Sequence, residues 1–170
     1  MNPFVESNFP RHANDHYPTI DGRCLDALLE AWDVPSGRLY DACVGENGES
    51  GLVDQRPDLF TDDFSNAQAI VTNPPYKRGL VDLVVSALVG HVQSDPKIIM
   101  AACLLRTQWD HAKGRSHLFD SEPFAGLVRL RFRPWWSEDR SKTPIHSYQW
   151  VIWDRRHSGE PVVRYWPKEV

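Results

Sequence analysis

An α/β domain on a mostly parallel sheet is the fold this sequence predicts, on three observations. Apolar runs of strand length alternate along the chain with segments whose apolar residues recur at helical spacing. One run, Lys97 to Leu105, is apolar after its first residue, which suits a strand covered on both faces at the centre of a parallel sheet. The last two strand-like stretches follow one another across an aromatic loop, which predicts an antiparallel hairpin at one edge. The 170 residues suit a single domain, with residues 1–15 expected as a flexible N-terminal arm.

Taken in order, Ile20 to Trp32 carries Leu25, Leu28, Leu29 and Trp32 at helical spacing and is stopped by Pro35 and Gly37. Arg38 to Val44 reads as a short strand, and Leu52-Val53-Asp54 is the best candidate for the second. Ala69 to Thr72 is a buried strand. Leu80 to Val92 predicts an amphipathic helix with Leu80, Leu83, Val84, Ala87 and Leu88 on one face, broken by Asp95-Pro96. Lys97 to Leu105 is the central strand, and Gln108 to Phe119 is expected to be helical. Leu127 to Arg133 alternates apolar and basic residues, as an edge strand would, with Arg129, Arg131 and Arg133 on one face. Tyr148 to Asp154 follows as a further strand.

Composition is that of an ordinary soluble protein, 41% hydrophobic and 25% charged. Cys24, Cys43 and Cys103 are odd in number and form no CxxC pair, which predicts reduced thiols in a cytoplasm. No apolar run approaches a membrane span and no signal-peptide pattern is expected. The seven histidines show no ligand spacing with acidic or cysteine partners, so no metal is expected. The net charge of −4 hides an asymmetry: residues 1–105 balance at −8 and residues 106–170 at +4. A basic C-terminal third fits phosphate contact, and a solvated charged face would have the same composition.

The most informative residues are Asn73-Pro74-Pro75-Tyr76, directly after the strand ending at Thr72. The prolines fix φ near −65° and donate no backbone N–H, so they end the strand and hold its last carbonyls in one direction. An amide oxygen, a carbonyl and an aromatic face then suit a planar amino group on a heterocycle: two acceptors for its hydrogens, a ring for stacking. Asn-Pro-Pro-Tyr resembles the catalytic motif of amino-methyltransferases that use S-adenosylmethionine, above all the DNA adenine-N6 enzymes.

That resemblance implies a class I methyltransferase-like sheet with helices on both faces, and it extends to other segments. Asp41-Ala42-Cys43-Val44-Gly45-Glu46-Asn47-Gly48 resembles the acidic, glycine-rich cofactor loop; Asp41, Ala42, Gly45 and Gly48 would then meet the cofactor's amino-acid end. His16-Tyr17-Pro18-Thr19 looks like the segment lining the cofactor pocket, through Tyr17 and Thr19, and a simple helix N-cap at Thr19 fits equally. Asp63 and Phe64 occupy the place of the adenine contact, or a solvated acidic loop. Asp54 would be the ribose acid by order. The chain departs from the family in one respect: only Glu49-Ser50-Gly51 separate the glycine loop from Leu52-Val53-Asp54, too few for a crossover helix. The fold is therefore shortened after the first strand. The cofactor pocket is then cut down, completed by a second copy or a partner chain, or a relic.

In the chemistry the resemblance implies, Asn73 and the Pro74 carbonyl accept the amino hydrogens and leave the nitrogen lone pair facing the sulfonium methyl. Pro75 holds the lip, and Tyr76 stacks on a base swung out of the duplex. Lys77 and Arg78 are placed to meet DNA phosphate or lie as surface charge. Residues 133–143 hold Trp135, Trp136, Arg140 and Lys142, suited to base stacking and phosphate contact or to capping the sheet edge. Three functions follow: methylation of adenine in DNA, the same chemistry on RNA or on a protein glutamine, or a non-catalytic nucleic-acid-binding or interaction protein on a degenerate fold.

Overall fold

The computed structural model describes residues 17–44, 50–141 and 143–168. The expected N-terminal arm, Gly45, Gly48 and Lys142 lie outside the described residues. The elements in chain order are α1 (Arg23–Ala31), β1 (Arg38–Tyr40), α2 (Gly51–Gln55), β2 (Ala67–Thr72), α3 (Leu80–Ser94), β3 (Met100–Arg106), α4 (Ser116–Phe119), β4 (Phe124–Leu130), β5 (Tyr148–Asp154) and β6 (Val162–Trp166). Six strands form one sheet in the order β1-β2-β3-β5-β4-β6. The pairs β1·β2, β2·β3 and β4·β6 are parallel, whereas β5 runs antiparallel to both of its neighbours. The α/β class and the mostly parallel sheet are as the sequence predicts.

Alternation along the central strands builds two cores. Met100, Ala102 and Leu104 of β3 pack with Trp150 and Ile152 of β5 beneath Cys24, Leu25 and Leu28 of α1. Ala101, Cys103 and Leu105 pack with Val151 and Trp153 beneath Val81, Val85, Leu88 and Val92 of α3. Helices therefore cover both faces of the sheet. The α3 stripe is rotated from the expected one, and Leu83 is 71% exposed. Apolar residues surround most of this helix, so spacing alone does not select the face that meets the sheet.

Four expectations are corrected. The β4–β5 hairpin is interior, because β6 pairs with β4 and forms the edge. β4 begins earlier than alternation suggests, since Gly126 lets the backbones of β4 and β6 meet; a Cβ there would lie 2.1 Å from the Val162 carbonyl oxygen. Leu52-Val53-Asp54 is helix, not strand: the Ser50 hydroxyl accepts the Val53 N–H at 3.1 Å and caps α2. The stretch expected to be helical from Gln108 breaks into two 3₁₀ turns and the single turn of α4, with Gly114, a poor helix former, inside the second 3₁₀ turn.

Both ends of α1 are pinned to the rest of the fold by carboxylates. Asp21 accepts from Arg23 Nη2 at 2.7 Å and from the Trp135 N–H at 3.2 Å. Asp154, at the end of β5, accepts from Arg156 Nη2 at 2.8 Å and from the Trp32 indole at 3.1 Å. Burial pushes both carboxyls up, but the bonds from arginine, backbone and indole outweigh it and hold both below the ordinary range. A lowered folded-state pKa contributes stability that is present above the unfolded value, near 3.9, and is lost as pH falls through the folded value. Denaturant unfolding should therefore show stability level near neutrality and falling below about pH 4. Asp21→Asn with Asp154→Asn should flatten that acid limb; an unchanged limb assigns the acid loss to other groups.

Gly90 lies inside α3, and a Cβ added there would meet nothing within 4 Å. Gly90→Ala should raise stability by about 0.5–1 kcal/mol, read as a higher melting temperature.

Candidate active site

The carboxyl ends of β1, β2 and β3 present Asp41, Asn73 and Arg106. From β1 the chain passes through α2 to residues 59–61, which lie parallel against the outer side of β1: the Leu39 N–H bonds the Leu59 carbonyl and the Thr61 N–H bonds the Leu39 carbonyl, both at 2.9 Å. It then returns to β2 on the other side of β1. Leu52 of α2 packs into the α1-side core, while α3 covers the opposite face. The chain thus reverses its winding between β1 and β2, and ligands of open α/β sheets bind in the crevice at such a switch point. Asp41 and Asn73 flank it.

Asp41 is buried and fully engaged. Its carboxylate accepts from Ser50 Oγ at 2.6 Å, from the Cys43 N–H at 3.1 Å and from the Thr72 hydroxyl. Through Ser50 it also orients the N-terminus of α2. The neighbouring Cys43 thiol is pushed up to about 11, chiefly by burial, against a hydrogen bond with Thr72, and stays protonated at neutral pH. Ala42 is an exposed turn residue after Asp41.

Asn73 is held from both ends of its amide. Nδ2 donates to the Tyr17 carbonyl at 2.7 Å, which turns Oδ1 toward the Tyr76 hydroxyl at 2.5 Å. That hydroxyl also meets the Leu104 carbonyl at 2.8 Å, and burial pushes its pKa well up, so it remains a donor. The Pro74 carbonyl, with Pro74 buried and Pro75 half-buried beside it, accepts no hydrogen bond from the described residues. Residues 17–20 form a strap across this site. The Thr19 carbonyl accepts from Gln55 Nε2, and Gly51 packs against the Thr19 backbone; the Thr19 hydroxyl is buried without a partner among the described residues.

Tyr76 is turned inward, against the expectation of an open stacking face. Its ring lies edge-on to Tyr148 at 5.6 Å and to Trp136 at 6.5 Å between centroids, with the Arg106 guanidinium 5.6 Å from its centroid. Trp136 is correspondingly buried behind it, 5.0 Å from Tyr148, and caps the sheet end. Trp135 donates its N–H to Asp21 and carries Arg140 4.5 Å above its ring. Neither Trp135 nor Arg140 borders the cavity beside β1 or the one beyond Tyr76.

Two cavities open here. One, of about 480 Å³, lies beside β1 and is bordered by Asp41, Asp54 and Asp62 with Tyr40 and Phe60. Asp54 thus faces it from α2, and Asp62, directly after the 59–61 segment that bridges to β1, occupies the acidic position that sequence order gives to Asp54. Asp63 and Phe64 do not border it. Asp63 caps a 3₁₀ turn through Ser65 and Asn66, and Phe64 packs edge-on against Tyr40 at 5.2 Å and His91 at 5.1 Å. The second cavity, of about 830 Å³, lies beyond Tyr76 and is bordered by Arg78, Arg106, Trp109, Arg115 and His146. Lys77 is exposed on the same loop as Arg78. Arg106 is legible in retrospect, as a cation set at the carboxyl end of an otherwise apolar strand; Asp62, Trp109 and His146 carry no motif. No described group of three or more ligating side chains could hold a metal, and no described helix is long and apolar enough to cross a membrane. No protein-family model matches this chain, and neither does any curated protein.

Proposed function

We propose that the chain transfers a methyl group from S-adenosylmethionine to the exocyclic amino group of adenine in DNA, on a class I methyltransferase-like fold. The observation that carries this reading is the position of Asn73-Pro74-Pro75-Tyr76 at the carboxyl end of β2, beside the switch point, between an acidic cavity and a basic one. The acidic cavity suits the cofactor. At about 480 Å³ it lies within the range of small-molecule sites. Asp54 and Asp62 suit ribose hydroxyls and an ammonium group, and Tyr40 and Phe60 suit a planar base. The crossover after β1, absent from the sequence expectation, is supplied by α2.

When bound, the cofactor supplies an electrophilic methyl on sulfur. The adenine nitrogen is a weak nucleophile because its lone pair is delocalised into the ring. Asn73 Oδ1 and the Pro74 carbonyl would accept its two hydrogens and favour a tetrahedral nitrogen with its lone pair free. Substrate would replace the Tyr76 hydroxyl on Asn73 Oδ1. The strap holds Asn73 from behind, so its acceptor is aimed before substrate arrives.

A second reading, a non-catalytic nucleic-acid-binding protein, is favoured by one specific observation: both ends of the Asn73 amide and the Asp41 carboxylate are already bonded within the chain. Calorimetric titration with S-adenosylmethionine, followed by methyl transfer to unmethylated DNA, separates the two. Micromolar binding with N6-methyladenine as product supports the enzyme. A folded protein that binds DNA but no cofactor selects the second reading; RNA and glutamine-containing peptides serve as alternative acceptors in the same assay.

A further inference from the structure

The cavity beyond Tyr76 has features that amino-group chemistry does not require. Three arginines border about 830 Å³ of space, and no carboxylate of the described residues borders it. Arg115 is already engaged, with Nε 2.6 Å from Asp82 and its guanidinium 4.5 Å from the Trp109 ring centroid. Arg78 and Arg106 border the cavity and form no ion pair among the described residues. His146 reports the resulting field: its pKa is lowered by burial and then by the charges of Arg106 and Arg133. Trp109 supplies the second, independent observation. It is 8% exposed, and its indole N–H is buried with no acceptor among the described residues. An orphaned buried donor costs about as much as a lost hydrogen bond, and the residue that carries this one borders the same cavity as the arginines.

We propose that this cavity is a phosphodiester subsite for nucleic acid, in which Arg106 and Arg78 grip the backbone beside the target base and the Trp109 indole donates to the same nucleotide. The inference rests on the reading of Tyr76 as the lip of the target site, and it deepens that reading by naming the groups that select nucleic acid over protein. Planar guanidinium groups match phosphate oxygens in two-point contacts, and an aromatic wall accepts a base or sugar edge. Arg106 lies over the Tyr76 ring, so a phosphate held there stands one residue's reach from Asn73.

The test is equilibrium binding of a fluorescein-labelled single-stranded oligodeoxynucleotide, followed by anisotropy from 50 to 200 mM salt without cofactor. For Arg78→Gln with Arg106→Gln, the plot of log affinity against log salt should become shallower by about 0.7 for each phosphate that is no longer neutralised. Trp109→Phe, which keeps an aromatic ring, should weaken binding with the slope unaltered, because its donor is neutral. An unchanged slope in the double variant overturns the phosphate grip, and wild-type affinity in Trp109→Phe removes the indole. Both exchanged arginines are set apart from the acidic cavity, so cofactor affinity serves as the separate control. A shallower slope in a protein that transfers no methyl group would leave the subsite standing and end the methyltransferase reading; methyl transfer with an unchanged slope would do the reverse.

Discussion

Asn73→Ala is expected to lower methyl transfer by about 10²–10³-fold while cofactor affinity changes little. The expectation follows from where the amide sits. Asn73 directly follows β2 at the switch point, and its Oδ1 accepts from the Tyr76 hydroxyl and does not border the acidic cavity. Loss of one preorganised polar group at a reacting centre costs that order of rate, whereas a group that the cofactor does not touch leaves its binding unchanged. A structural cost accompanies the kinetic one. The variant leaves the Tyr17 carbonyl without its donor, at about 1–3 kcal/mol, while the Tyr76 hydroxyl keeps the Leu104 carbonyl. Turnover must therefore be compared at a temperature where both proteins are folded, established by thermal melting. Wild-type turnover in the variant would remove Asn73 from the chemistry and leave it as a strut for the strap.

The features legible in the sequence are those whose cause is local. Ala69 to Thr72 is apolar, and two prolines end it, so the placing of Asn73 at a strand's carboxyl end needs no distant information. The central strand is equally plain, since a run that is apolar at every position from Ile98 to Leu105 suits a strand covered on both faces. Leu52-Val53-Asp54 misleads for a local reason: three apolar-rich residues fit a strand or a helical turn, and the deciding feature is the Ser50 cap. Val162 to Trp166 has a strand's composition between two prolines, but its partner, β4, is reached only through the tertiary fold. The direction of Tyr76 is beyond sequence reading for the same reason. It depends on the Leu104 carbonyl and on Tyr148 and Trp136, residues far along the chain that the sheet brings behind it. Asp62 gains its place from residues 59–61, which meet the open edge of β1 through an isolated bridge.

Gly51→Ala should be the most disruptive small change near the site, although helix propensity alone points the other way. Alanine in place of glycine in a helix gains about 1 kcal/mol in isolation. At Gly51, however, a Cβ would lie 2.2 Å from the Thr19 carbonyl oxygen and 2.4 Å from its carbon, both backbone atoms that no rotamer change can clear. Either α2 or the strap must move, and overpacking of this kind costs about 1–3 kcal/mol. Two residues along that strap, the Tyr17 carbonyl holds the Asn73 amide, and Ser50, adjacent to Gly51, holds Asp41. A displacement of about 1 Å at a positioning group can cost 10²-fold in rate, so cofactor affinity and turnover should fall together with the melting temperature. Gly114→Ala is the control, because nothing lies within 4 Å of its Cβ position. If Gly51→Ala melts and binds cofactor as the parent does, the strap yields freely, and the aim of Asn73 does not depend on it.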